Sequence, residues 1–212
     1  MIASSLPKRR ESRYHAFKPG YHGDPHLTWH RKTTLIALAG LAAMLTAPAL
    51  TAQTEPADTL FAQAKSTAAA QHKNVLLVFS ASWCGPCKLY EHFLDDPQMK
   101  PITEKAFVVQ RIDVGEQPGD TKHADTPGGV ALRTALGAAG EPGFPFLVIT
   151  DANGKPIVNS YRDGNTNQNV GYPAIPAEID WYLKMLQRAA PTLSPSDLAA
   201  TRTWLNSHSP HR

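Results

Sequence analysis

Cysteine is scarce in this chain: 212 residues contain two. A closed structural zinc site needs four ligands, so two cysteines would have to recruit His72 and His92, and neither stands at a recognisable ligand spacing. The cysteines also lack a neighbouring Met/His cluster, which argues against a metal chaperone. There is no internal repeat and no low-complexity block, so nothing points to a stacked-repeat architecture. Basic residues are missing where a nucleic-acid surface would need them. Residues 1–52 hold seven Lys/Arg against Glu11 and Asp24, and the remaining 14 basic and 16 acidic residues leave the body mildly acidic. The formal charge of +3 is a property of the N-terminal end, and no nucleic-acid partner is expected.

What is present centres on those two cysteines, in Trp83-Cys84-Gly85-Pro86-Cys87-Lys88. The motif follows the apolar run Val75–Phe79 and precedes a helical pattern carrying Leu89, Tyr90, Phe93 and Leu94. Residues three apart on a helix share a face, so the sulfurs can meet and close a disulfide. The first sulfur falls at a helix N-terminus, where unpaired N–H groups and the dipole favour a thiolate. Pro86 fits the first turn, since its missing N–H has no helical partner there. A purely structural bridge is the competing reading, but so short a loop removes little unfolded-chain entropy. The residues therefore point to a dithiol–disulfide redox site, with Cys84 and Cys87 its reacting pair and no cofactor beyond them.

The N-terminal end reads as an export leader. Its basic segment runs into Leu35–Leu45, which is apolar, and small residues follow at Ala47, Ala49 and Ala52. Cleavage after Ala49 satisfies the small-X-small rule, and Ala52 is nearly as good. Thr33–Leu50 is also about long enough to span a bilayer, so an uncleaved N-terminal membrane anchor stays open. Four leader histidines (His15, His22, His26, His30) have no ligand spacing and read as solvated. Export suits the cysteines, because a disulfide persists outside the cytoplasm. The expected location is periplasmic or otherwise extracytoplasmic.

Roughly 160 residues remain after the leader, enough for one core. The pattern predicts a helix over 57–72, capped by Thr54, a strand over 74–79 and the cysteine-bearing helix over 85–94. After a break at Asp95-Asp96-Pro97 come a short helix over 99–105 and a strand over 107–113. Gly115–Gly129 is expected to be an exposed loop, either a partner-binding surface or a tolerated insertion. A helix over 130–136 follows, then strands 146–150 and 156–161 joined by a turn in which Asn153-Gly154 supplies positive φ angles. A second polar loop spans 164–176, and helices are predicted over 177–190 and 196–205. Trp181, Tyr182 and Trp204 are expected to pack the C-terminal part onto the sheet. The expected architecture is α/β, a central mixed sheet with helices on both faces and a C-terminal helical extension. It divides into a leader at 1–52, a redox domain at 53–190 and the extension at 191–212.

Trp83–Lys88 after an apolar strand, with Phe144-Pro145-Phe146 before a later one, resembles the thioredoxin family over about residues 74–161. Asp96-Pro97-Gln98 is similar to the C-terminal domain of the membrane thiol–disulfide interchange reductase. The resemblance implies that Cys84 attacks a substrate disulfide and Cys87 resolves the mixed disulfide. It implies a cis Pro145 facing the cysteines, a Phe144 backbone that pairs with extended substrate, and Trp83, Gly85 and Pro86 completing the substrate surface. Two departures stand out. Where thioredoxins bury an acid there is Val78, and the partner lysine position falls at Val109, which predicts slower proton transfer at Cys87. Phe146 replaces a small polar residue and is expected to make the site more apolar.

Together these imply an extracytoplasmic thiol–disulfide oxidoreductase, leaning to reduction because Gly-Pro separates the cysteines. It would act on protein thiols and disulfides, draw electrons from a membrane donor and work as a monomer. Two alternatives remain open: a peptide-binding or holdase module with little turnover, and a thiol reductase for cytochrome c maturation.

Overall fold

A computed structural model describes residues 55–210. The leader, its alternative as an anchor, and the Thr54 cap lie outside the described residues. No helix among the described residues is long and apolar enough to cross a membrane.

Helix α1 (Ala57–Gln71) buries Ala57, Phe61, Ala64 and Ala68 along one face. Pro56 stands at its N-cap, and His72, in the left-handed region, ends it by returning its N–H to the last carbonyls. Strand β1 (Asn74–Ser80) follows, buried at every position after the first. Such a run belongs to a central strand covered on both faces. Helix α2 (Gly85–Asp95) stops at Asp96, whose extended backbone precedes Pro97. Helix α3 (Lys100–Ala106) then leads into β2 (Phe107–Asp113), which pairs with β1 in parallel, Asn74 opposite Phe107 and Ser80 opposite Asp113.

After the 115–129 loop, α4 (Gly129–Ala135) precedes β3 (Phe146–Thr150), which lies antiparallel to β1, and β4 (Pro156–Asn159) closes a hairpin on β3. The sheet order is β2-β1-β3-β4, a mixed four-stranded sheet. The hairpin departs from the expected turn. Only Gly154 has a positive φ, and Asn153 does not. The connection spans residues 151–155, longer than a two-residue turn that needs two left-handed residues. Asp151 organises it instead, its carboxylate accepting from the N–H groups of Asn153 and Lys155 at 2.9 Å each.

Alternation along the strands splits the core. Val75, Leu77 and Phe79 join Phe146, Val148 and α1 on one face; Leu76, Val78, Leu147 and Ile149 join α2, α5 (Pro176–Ala189) and α6 (Pro195–Ser207) on the other. The C-terminal aromatics do more than cover the sheet. Trp204 of α6 and Tyr182 of α5 both meet Phe93 of α2 edge-on, with centroids 5.2 and 5.8 Å apart. Tyr182 also meets Tyr90, whose hydroxyl lies 3.0 Å from its own. Burial pushes both phenols well above the ordinary tyrosine range, so this pair is neutral at any physiological pH. The helix that carries the cysteines is thus clamped by the last two helices.

Helix α6 is fastened at its start by a reciprocal cap. Ser194 Oγ accepts from the Asp197 N–H, and the Asp197 carboxylate accepts from the Ser194 N–H at 2.8 Å. Lys105 donates to the same carboxylate at 2.7 Å, and these donors hold its pKa down to about 2. Because the folded value lies below the ordinary carboxylate value, this contribution is present above about pH 4 and is lost as the pH falls toward 2. Asp197→Asn is therefore expected to melt below the wild type at pH 6, with the gap closing toward pH 2.5. Thermal unfolding across that range checks it, and a gap independent of pH would contradict it.

Candidate active site

The end of β1 and the start of α2 build the site. Cys84 is the N-cap of α2, with an extended backbone, and its Sγ accepts from the Cys87 N–H at 3.1 Å. Cys84 and Cys87 are joined in a disulfide, with Cα atoms 5.3 Å apart. Pro86 lies in the first turn, where no helical donor is lost. The sulfur thus occupies the place of a capping oxygen and meets one of the free N–H groups of the helix end. Both cysteines are buried, at 3% and 2% exposure, while Trp83, Gly85 and Pro86 between and before them are exposed. Access to the sulfurs is therefore narrow.

The Phe144–Pro145 peptide is cis. Phe144 packs against Ala81, Cys84 and Cys87 and meets the Trp83 ring edge-on, centroids 6.0 Å apart. Five of the seven candidate site residues, Trp83 through Cys87, come from one stretch of chain; Phe144, two residues before β3, packs against the cysteines, and Pro145 follows it across the cis peptide. Phe146 is a correction to the expected groove. It is fully buried on the α1 side of the sheet, its ring 5.0 Å from that of Tyr161, because alternation along β3 turns it inward immediately after Pro145. The exposed apolar character of the site rests on Trp83, Pro86 and partly on Phe144.

Several residues that shape the site carry no signature in sequence. Gly171 presses on Pro145 so closely that a Cβ there would lie 2.8 Å from both its Cδ and its carbonyl oxygen. Asn169 donates to the Pro145 carbonyl at 3.1 Å and accepts from Ser160 Oγ at 2.5 Å, and Ser160 Oγ in turn accepts from the Leu147 N–H. The polar stretch after β4 is thereby a buttress for the proline loop. A glycine followed by Tyr172 and a proline was the only available signal.

Val78 is 1% exposed, and Val109 is half-buried on the same face, with Leu76 its partner in the sheet register. Among the described residues no Asp or Glu is buried, so no interior carboxylate is available to carry a proton to Cys87. His72 ends α1, and His92 faces Trp204 and His208. Among the described residues, the potential metal ligands that gather in threes are Glu116, Asp120 and His123; neither cysteine belongs to the group, and both Glu116 oxygens accept from Ser82.

Residues 57–152 match the model of a family described as thioredoxin-like. A protein disulfide-isomerase of Hordeum vulgare is 27% identical over 128 residues, 60% of this chain, and the chain spans only 20% of that protein's length. Among solved structures, a disulphide isomerase from Xylella fastidiosa Temecula1 is 22% identical, with a TM-score of 0.42 over 71% of this chain and 89% of that one. The oxidised C-terminal domain of DsbD from Neisseria meningitidis is also 22% identical, with a TM-score of 0.34 over 50% of this chain and 86% of that one.

Proposed function

Starting from a chain that carries a thioredoxin-like domain, matched over residues 57–152, we propose that it is a thiol–disulfide oxidoreductase that reduces protein disulfides outside the cytoplasm. The observation that carries this reading is Cys84 Sγ at the N-cap of α2, hydrogen-bonded to the Cys87 N–H and bridged to Cys87 beside a cis-proline loop.

In the reduced protein the helix N-terminus favours the Cys84 thiolate. That thiolate attacks one sulfur of a substrate disulfide, a Cys84–substrate disulfide forms, and the first substrate thiolate leaves. Cys87, deprotonated to solvent or to the departing thiolate, then attacks Cys84 Sγ. The Cys84–Cys87 disulfide closes and the second substrate thiolate departs, so the substrate gains two electrons. Those electrons must be returned by a dithiol donor, which outside the cytoplasm implies a membrane partner. Cys84 and Cys87 are the catalytic residues; Trp83, Gly85, Pro86, Phe144 and Pro145 form the substrate surface, with the free backbone at Phe144 pairing an extended substrate strand. No further cofactor is required.

Export is supported by the basic-then-apolar leader, Leu35–Leu45, and is compatible with the cysteine pair, because a disulfide persists outside the cytoplasm. Residues 1–52 serve as leader or anchor, 53–190 as the redox domain and 191–212 as an extension, and the protein works as a monomer. Reduction is favoured by the Gly85-Pro86 spacing. Equilibration of the pair with graded dithiothreitol mixtures tests the direction. A reduction potential near about −270 mV is expected of a reductase, whereas a value near about −120 mV would make the protein an oxidant.

A further inference from the structure

The loop at residues 115–129 begins against the active site. Both oxygens of the Glu116 carboxylate accept from one residue, Ser82: the N–H at 2.6 Å and the hydroxyl at 2.6 Å. One position earlier, the Gly115 carbonyl accepts from Trp83 Nε1 at 2.9 Å. Three hydrogen bonds thus join two consecutive loop residues to the two residues that precede Cys84. Gly115 also lies flat against Phe144, where a Cβ would stand 2.9 Å from the ring, and its φ of +80° suits glycine alone. The loop base is itself held. The Glu116 N–H donates to Asp125 at 2.8 Å, and Thr126 closes a reciprocal pair with the Asp113 backbone.

We propose that Glu116 is a positioning residue for the thiol chemistry, fixing Ser82–Trp83 so that Cys84 enters α2 as its N-cap beneath Trp83 and Phe144. This rests on the oxidoreductase reading of the same site. A carboxylate suits the task because it offers two acceptors to two donors of one residue, in charge-assisted bonds about twice as strong as neutral ones. Without it, the Ser82 N–H and hydroxyl lose their acceptors, and the loop holds this segment only through the bond from Trp83 to the Gly115 carbonyl. The loop is then a working part of the site at its base, whatever its exposed tip does.

The test uses the full chain with Glu116→Ala, Glu116→Gln and, as a milder cut that keeps the backbone donor, Ser82→Ala. The readouts are the emission anisotropy of Trp83, with Trp83→Phe subtracting the other tryptophans, kcat/KM on insulin disulfides with dithiothreitol as donor, and the thermal midpoint. Glu116→Ala is expected to lower the Trp83 anisotropy and to reduce kcat/KM about tenfold, with Ser82→Ala intermediate. Glu116→Gln, which can still accept from the N–H and donate to the hydroxyl, is expected to stay within about threefold of the wild type. Unchanged Trp83 anisotropy in Glu116→Ala would overturn the proposal. So would equal losses in the Ala and Gln variants that merely follow a fall in thermal midpoint. If wild-type protein fails to reduce insulin, the oxidoreductase reading fails, while the anisotropy still decides the role of Glu116.

Discussion

On the proposed reductase reading, Cys84→Ser is expected to abolish disulfide reduction, lowering insulin turnover by about a thousandfold or more. A serine oxygen cannot form the mixed disulfide, and the remaining thiol is badly placed to take over. Cys87 lies in the first turn of α2, whereas Cys84 is the N-cap, where the free N–H groups of the helix end favour a thiolate, so the remaining thiol is the poorer nucleophile. The fold survives the change, since Ser is a better N-cap than Cys and can accept the same Cys87 N–H. Loss or retention of activity in this variant therefore separates the two classes of function. An oxidoreductase loses its activity while keeping its fold and its affinity for extended peptides; a holdase keeps most of its activity. Retention of most of the wild-type activity in Cys84→Ser would overturn the redox reading. The companion Cys87→Ser should accumulate a covalent Cys84–substrate disulfide, visible as a mass adduct that dithiothreitol releases.

Val78→Asp is the second large effect, and it acts on stability first. Val78 lies on the central strand in the core shared by Tyr90, Phe93 and α5, while the buried cation among the described residues, Arg133, stands over Phe144 and pairs with Glu141. An unpaired carboxylate at position 78 is destabilising by about 3 kcal/mol or more near pH 7. Burial raises its pKa in the folded state above the unfolded value of about 4. The sign follows: below about pH 4 both states are protonated and only the lost packing and a buried neutral carboxyl count. As the pH rises the unfolded chain ionises and the folded one resists, so the deficit against wild type widens. Urea unfolding at pH 4 and pH 7 measures this, and a deficit under about 1 kcal/mol at both would contradict it. Adding Val109→Lys should recover part of the loss, because Val109 is half-buried on the same face and a long side chain there can reach inward while its stem covers apolar surface. The paired variant is also expected to release a trapped mixed disulfide faster than wild type, by giving Cys87 a proton acceptor that the native interior lacks.

Local signals accounted for most of the architecture. The continuous apolar run at 75–79, the β-branched stretch at 107–113 and the aliphatic periods of α1, α2 and α5 each state an element through side-chain spacing, and these elements formed within a residue or two of expectation. The cysteine pair was legible for the same reason: strand, motif and helix are contiguous, so the chain carries the geometry of the N-cap within a few residues. Pro145 could be placed from its neighbours, though only by family resemblance.

What the sequence by itself determined was thus the set of elements and the cysteine pair that bridges, because both depend on contacts a few residues apart. The tertiary structure alone decided what surrounds them. Glu116 reaches Ser82 across 34 positions, Asn169 reaches the Pro145 carbonyl across 24, and Trp204 meets Phe93 from the far end of the chain. A single acid, amide or glycine in a polar loop has no period to betray it, and its role exists only once the sheet brings the loop back. The inward turn of Phe146 was decided in the same way, by which face of β3 met α1, and with it the true extent of the exposed site.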